Sequence, residues 1–384
     1  MKVAIYVPHG AVPDKRGFAP AIVAWNFALQ LRHLDPFMIS VQEDYCEATD
    51  TIEGIPIRRL HESALYNRIF KKITRLDPWP LDKRAAHFVN DIAPDICHVH
   101  QLEFDVERFS HWMKKRVPIL VHAHVTNRTF NPVRGIANRY IAVSDYVKTQ
   151  LIEKGYPSEK VAVVRNGVDT TQFSPASIDE KTRLRLALNI PSDCRVLTFV
   201  GRKQEVKGFH TFLQTVVRLL ESRQDIFVIA AGGEPLDSVA EASYASRQIL
   251  RQRLSDTHRY LDLTSLPHNQ LSNIYKISDI TLLPSLTEPQ GMVVLESMAS
   301  GCVTISSRVG GIPESITHGV NGYLLNKPED EEEAQRLVED ALDNINNLDS
   351  IRAAARGEIL RKFDWPVVAA QLEKIYLSAL ERPN

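Results

Sequence analysis

Cysteine is scarce in this chain: four residues in 384, at positions 46, 97, 194 and 302. No two of them form a Cys-x-x-Cys and no histidine spacing of the zinc type accompanies them. A disulfide framework and a structural metal are therefore not indicated, and reduced thiols in a cytosolic protein are the expected state. No apolar run approaches the roughly 18 residues that a membrane-crossing helix needs, and the run at residues 3–7 is too short for a signal peptide. Charge of one sign is not in excess: 46 Lys and Arg face 47 Asp and Glu, net -1, so no global field draws nucleic acid and an anionic partner must be met by local patches. Short internal repeats and low-complexity tracts are missing. No Gly-x-Gly-x-x-Gly follows a strand, which leaves a nicotinamide oxidoreductase poorly supported. No Asp-x-Asp occurs either, and this argues against a diphosphate held through a metal ion.

What is present is an ordinary globular composition, 44% hydrophobic and 24% charged, over a length that suits two or three domains. One stretch organises the chain: residues 284–301, PSLTEPQGMVVLESMASG, with Glu288 and Glu296 eight positions apart. The apolar run 280–284 before it predicts a buried parallel strand, and 292–300 has helical spacing. At such a strand-loop-helix junction the first helical amides, those of Met292 and Val293, lack intrahelical acceptors and sit at the positive end of the dipole. This favours oxyanions or sugar hydroxyls. Gly291 lets a ligand approach the backbone closely. Glu288 is expected on the loop rim, and Glu296 about a turn and a half into the helix, on the face opposite Val294, Leu295 and Met298. Two carboxylates so placed could grip hydroxyls at two ends of one polar ligand. The alternative is a capped helix with solvated glutamates.

The first half reads as an α/β domain. Strands are expected at 3–7, 37–41, 55–59, 95–100, 118–124, 140–144 and 161–164, with a helix at 21–31. Ligands bind beyond the carboxyl ends of such strands, so the loop with Lys15, Arg16 and Gly17 should border a site, unless Gly17 is a plain surface glycine. Two strand ends carry histidines. Alternation puts His98 with His100 on one face, and His122 with His124 likewise, which suggests a polar cleft rather than isolated core histidines. Cations and aromatics mix at 66–80, and 111–116 adds more. Together they suit an anionic membrane surface, a phosphorylated acceptor or a merely solvated helix face.

Asn166-Gly167 is a strong turn signal, and residues 170–180 read as the crossing to a second α/β series. There a strand at 195–202 precedes Lys207, Gly208 and a helix from Phe209. Arg202 and Lys207, at the mouth of that loop, are placed to neutralise a diphosphate, or are solvated surface cations. Further strands are expected at 227–233 and 303–306, and 261–266 is expected to precede a loop near the base of a nucleotide. The carboxylate of Glu314 belongs to a glycine turn after Gly310 and Gly311. Acidic residues at 328–333 complement a helix start. The chain is thus read as α/β, two doubly wound domains facing a central cleft.

The paired glutamates with Arg202, Lys207 and Gly208, and the Asn166-Gly167-Val168-Asp169 run followed by Phe173 and Pro175, resemble the retaining GT-B glycosyltransferases of family four. The resemblance spans nearly the full length. It implies two Rossmann-like domains, 1–175 and 176–365, with a final helix at 366–384 returning to the first. It implies that Glu288 holds the donor sugar and Glu296 the nucleotide ribose, that Arg202 and Lys207 hold the pyrophosphate, and that His124 lies beside the donor near the reacting carbon. Gly17 matches one glycine of a pair that the family carries with an acidic residue; here Phe18 follows and no carboxylate is near. Gln290 stands where an aromatic is usual. No cofactor is implied beyond a nucleotide-sugar co-substrate, with UDP-N-acetylglucosamine first. The 74–80 run and the one-glycine loop are similar to lipopolysaccharide core N-acetylglucosaminyltransferases, so a glycan or lipid-linked acceptor is expected, with peripheral contact to an anionic membrane and no nucleic acid. A hydrophilic sugar acceptor, as in thiol-glycoside biosynthesis, is the close rival. A UDP-sugar 2-epimerase and a catalytically silent sugar-nucleotide sensor are the readings from other classes.

Overall fold

The computed structural model describes residues 1–14, 17–61, 63–73, 77–100, 105–125 and 137–381. Two compact units account for the chain: Met1–Asn166 with Trp365–Asn384, and Gly167–Asp364. The boundary thus falls at 166/167 rather than at the expected 175/176. The reason is packing. Val168 N-H donates to the Phe363 carbonyl at 2.8 Å, and Phe173 is fully buried in the core of the second unit.

The first unit holds β1 (Val3–Tyr6), β2 (Pro36–Val41), β3 (Thr49–Ile52), β4 (Ile55–Leu60), β5 (Ile96–Val99), β6 (Ile119–Ala123), β7 (Arg139–Ala142) and β8 (Val161–Val163). They form one sheet in the order β3-β4-β2-β1-β5-β6-β7-β8, parallel except for the β3/β4 pair. A strand covered on both faces has no reason to alternate, and β1 and β5 are buried at every position. β3 escaped sequence reading because Thr49, Asp50 and Thr51 are exposed and carry no apolar periodicity. Helices Ala19–Gln30 and Trp365–Glu381 pack on each other within this unit, Phe27 meeting Trp365 edge-on at 5.3 Å. The last helix belongs here because Trp365, Val368, Leu372 and Tyr376 are all buried in it.

The second unit is a six-stranded parallel sheet built from β9 (Arg195–Val200), β10 (Ile226–Ala231), β11 (Tyr260–Leu263), β12 (Ile280–Leu283), β13 (Val303–Ser307) and β14 (Tyr323–Leu325). Its order is β11-β10-β9-β12-β13-β14, so strand succession reverses between β9 and β12. There the crossovers leave in opposite directions and open a crevice beyond the carboxyl ends. Helix Phe209–Ser222 buries Phe209, Phe212, Leu213, Val216, Leu219 and Leu220, the apolar stripe of a 3.6-residue period. It begins on Gly208, whose φ of +69° and tight fit admit no side chain: a Cβ would stand 1.8 Å from the Pro284 carbonyl oxygen. That approach locks the loop after β9 onto the loop after β12. Among the described residues no helix is long and apolar enough to cross a membrane.

Candidate active site

The two loops so joined carry the polar groups. Lys207 Nζ donates to Glu288 Oε1, and Ser285 Oγ donates to the same oxygen at 3.4 Å. The Glu288 carbonyl accepts from Gly311 N-H at 3.0 Å. Only a glycine permits the approach beside it, since at Gly310, φ +55°, a Cβ would lie 1.8 Å from that oxygen. Gly208 and Gly310 therefore clamp the 284–290 loop from two sides. Helix Met292–Ala299 follows, opened by Gly291 at φ +87°, with Met292 and Val293 half-buried at its first turn. Hydroxyls anchor it beneath: Thr281 Oγ1 and Ser297 Oγ lie 2.6 Å apart, and Ser297 Oγ and Thr304 Oγ1 2.7 Å.

Glu296 is 4% exposed and Glu288 6%, which rules out solvated glutamates. Glu296 does not face water opposite Val294 and Leu295, because helix His268–Ile277 covers it. His268 Nε2 lies 2.9 Å from Oε1, and Tyr275 O-H donates to Oε2 at 3.1 Å. Burial works to lower the His268 pKa, but the adjoining Glu296 carboxylate outweighs it and the pKa is raised. Tyr275 is pushed well above its usual range by burial and then by the same carboxylate. Each oxygen of Glu296 keeps a lone pair for a ligand hydroxyl.

Arg202 is exposed, and its side chain makes no hydrogen bond or ion pair with a described residue. Its neighbour Lys203 behaves oppositely. It is 2% exposed, its Nζ bonds Asp262 and the Leu263 carbonyl, and burial lowers its pKa despite Asp262. Arg251 joins Asp262 at 2.7 Å and Glu234 at 2.9 Å. These charges tie the ends of β9, β10 and β11 together, whereas Arg202 remains available.

In the first unit, β5 and β6 present four histidines as a column. Rings of His122 and His124 stack at 4.5 Å and 9°, and those of His98 and His122 at 5.3 Å and 15°. Hydrogen bonds thread the column: Tyr376 Oη to His98 Nδ1 at 2.7 Å, His98 Nε2 to His122 Nδ1 at 3.2 Å, and His100 Nδ1 to His124 Nε2 at 3.0 Å. Burial drives His98 and His124 down to about 3, and holds His100 and His122 well below 6.5, their neighbours adding to the effect. One nitrogen each of His98, His100 and His122 lies within 4.8 Å of the others, a spacing open to a metal ion. Both His98 nitrogens already serve hydrogen bonds, however, and only His100 Nε2 and His122 Nε2 are buried without a partner. The set reads as a neutral column. His124 sits just past β6, partly buried.

The structure thus brings Lys207, Glu288 and Gly291 together at the β9/β12 reversal and gathers the four histidines in one column. Gly17 stands apart from that column's contacts: it is exposed, with φ +82° and open space where a Cβ would be, while Lys15 and Arg16 lie outside the described residues. Residues 74–76 of the 74–80 run also lie outside them. Sequence reading missed His268 and Tyr275. Their seven-residue spacing, two helical turns on one face, was the available signal.

The description "Glycosyl transferases group 1" matches residues 180–358, and "Glycosyltransferase Family 4" matches residues 21–172. A D-inositol 3-phosphate glycosyltransferase of Corynebacterium urealyticum is 31% identical over 100% of this chain and 97% of its own length. The chain belongs to the group 1, family 4 glycosyltransferases. Among its relatives, the D-inositol 3-phosphate glycosyltransferase of Thermobispora bispora is 32% identical, but the match takes in 64% of this chain and little more than half, 57%, of that relative. The lipopolysaccharide 1,2-N-acetylglucosaminetransferase of Salmonella typhimurium is 25% identical over 93% of each chain. Anabaena HepE, solved in complex with UDP and glucose, is similar in fold, with a TM-score of 0.81 at 19% identity over 98% of this chain and 100% of that one. These likenesses support the two Rossmann-like α/β domains of the GT-B fold.

Proposed function

We propose that the protein is a retaining glycosyltransferase that moves a sugar from a nucleotide donor to an acceptor hydroxyl. The Lys207–Glu288 pair at the β9/β12 reversal, beside the opening amides of helix Met292–Ala299, carries this reading. Arg202, Lys207 and the amides near Met292 and Val293 take the diphosphate, Glu288 holds the sugar hydroxyls and Glu296 the ribose. The acceptor oxygen bonds to the anomeric carbon as the bond from that carbon to the phosphate oxygen breaks. The acceptor proton passes to a phosphate oxygen, and the nucleoside diphosphate leaves. Fixed positive groups meet the charge that grows on the departing phosphate, so preorganised electrostatics and positioning supply the acceleration.

A UDP-sugar donor is supported by HepE, whose fold is shared and which is solved with UDP. For the acceptor, relatives reverse the order reached from sequence. The full-length match at 31% is named for D-inositol 3-phosphate, against 25% for the lipopolysaccharide enzyme. A hydroxyl of a phosphorylated cyclitol therefore leads, and a lipid-linked glycan follows. In favour of membrane contact, Leu65, Ile69 and Ile73 are exposed at four-residue spacing on the helical segment Asn67–Ile73 and the turn before it. Retention on anionic vesicles at low salt checks that contact.

The test of function is incubation with UDP-N-acetylglucosamine or UDP-glucose and inositol 3-phosphate, with the product's anomeric configuration read by NMR. Lys207→Ala and Glu288→Gln should each lose about 100-fold or more in kcat. Near-normal turnover in both, or an inverted product, would overturn the assignment.

A further inference from the structure

His268 is the first residue of helix His268–Ile277, directly after Pro267. A positive charge at the amino end of a helix opposes the macrodipole, so local helix chemistry gives no reason for a cation there. Its contact does. Nε2 lies 2.9 Å from Oε1 of Glu296, whose side chain is only 5% exposed, and a buried carboxylate is tolerated when a partner of opposite charge stands beside it. The histidine is the more exposed member of the pair, at 35%, so water reaches its ring while the carboxylate stays enclosed.

The second oxygen is held from the same helix. Tyr275 donates its O-H to Oε2 at 3.1 Å and lies 3.3 Å from the Val293 carbonyl, in the first turn of helix Met292–Ala299. Phe173, fully buried, closes the dry side: its ring centre is 5.2 Å from that of His268 and 5.8 Å, edge-on, from that of Tyr275. Gln172 Nε2 donates to the His268 carbonyl at 3.1 Å and fixes the start of the helix. Among the described residues two carboxylates face His268. Glu296 comes from helix Met292–Ala299, and Asp169 from the segment before Phe173, its Oδ1 already taking the amides of Thr171 and Gln172 at 2.9 Å. Burial lowers the pKa of the ring, and Glu296 and then Asp169 more than reverse it, whereas Tyr275, pushed well above its usual range, stays neutral.

We infer that His268 is a positioning residue for the ribose of the donor: its charged ring, with the Tyr275 hydroxyl on the other oxygen, holds Glu296 in the orientation that meets the two ribose hydroxyls, and the grip loosens when the ring loses its proton. The inference rests on the nucleotide-sugar reading above, which itself uses neither residue. Both oxygens are bound before a ligand arrives, so the carboxylate is ordered in advance and each oxygen still has a lone pair for one hydroxyl. A charged donor makes a hydrogen bond roughly twice as strong as a neutral one. The folded pKa of His268 lies above its ordinary value, so its share of the grip is complete below that ordinary value and is lost as pH rises through the folded pKa.

Isothermal titration with UDP and with 2′,3′-dideoxy-UDP tests this, because the two ligands share base and diphosphate and their own titrations cancel in the ratio of affinities. The parent protein should prefer UDP by about 10-fold or more at about pH 6, and the preference should shrink towards about pH 9. His268→Ala and Tyr275→Phe should each cut the preference several-fold, through weaker UDP binding, while binding of the dideoxy analogue shows that the variants fold. His268→Gln places an uncharged N-H donor against the same oxygen, and should hold at every pH the preference that the parent protein keeps at the alkaline end. Failure of UDP to bind the parent protein overturns the nucleotide reading and this inference together. UDP binding with no preference over the analogue, with a preference that ignores pH, or with one that survives both His268→Ala and Tyr275→Phe overturns the inference and leaves UDP recognition standing.

Discussion

The two units bury most of their polar groups by different means, although the first also holds one buried cation, Arg59, on the Val12 and Glu47 carbonyls. The first stacks His98, His100, His122 and His124 as neutral rings, bonded to one another and to Tyr376. The second buries full charges, each beside its opposite: Lys203 on Asp262, Lys207 on Glu288, Arg247 on Glu241, and Lys181 and Arg185 on Asp279. A neutral imidazole column tolerates burial only while it stays unprotonated. A paired carboxylate tolerates it only while it stays ionised. The difference therefore sets where on the pH scale each unit fails.

The largest effect should be acid unfolding of the first unit. Its folded histidines have pKa values below the ordinary 6.5, so below pH 6.5 the unfolded chain binds more protons than the native one and stability falls with pH. For a histidine whose folded pKa is near 3, such as His98, the loss is about 2 kcal/mol by pH 5, and the other buried histidines act in the same direction. The sign is opposite for Asp279. Burial raises its pKa, Lys181 and Arg185 more than reverse this, and its contribution to the second unit lasts until pH falls below about 4. All four tryptophans, Trp25, Trp79, Trp112 and Trp365, lie in the first unit. Tryptophan emission should therefore change at a higher pH than far-UV dichroism; coincident transitions would break the comparison.

Next in size, Asp279→Ala leaves Lys181 and Arg185 facing each other unpaired and should cost the second unit about 3–5 kcal/mol. Melting followed by dichroism should show the loss while tryptophan emission holds. A smaller effect sharpens the first point. His122→Leu should flatten the acid slope of the first unit by about 1.4 kcal/mol per pH unit, measured by urea titration at several pH values. Smallest, Arg253→Ala removes an exposed pair with Glu221 and should move the dichroism midpoint by no more than about 0.5 kcal/mol, which separates buried from surface charge within one unit.

Much of the strand-and-helix succession was legible from apolar runs, because parallel strands covered on both faces announce themselves; β1, β9 and β12 are examples. The exposed hairpin strand β3 was not, since its residues bury nothing. The pairing of His122 with His124 followed from alternation, but the bond from His98 to Tyr376 joins residues 278 positions apart and has no local signal. Glu296 was found by its distance from Glu288 and misjudged in its surroundings. A glutamate on a predicted helix reads as solvated until the helix carrying His268 and Tyr275 is known to cover it.

The sequence by itself determined that there would be two α/β units, that a glycine would open the helix at Met292, and that acidic and basic residues would stand on the loops after β9 and β12. Backbone conformation and apolar periodicity are local properties, and the chain states them directly. Only the tertiary structure decided that Lys207 pairs with Glu288 while Lys203 is spent on Asp262, and that Arg202 alone of the three cations stays available. Those choices depend on how closely backbones approach at Gly208 and Gly310, a matter of strand order and burial that no neighbouring residue records.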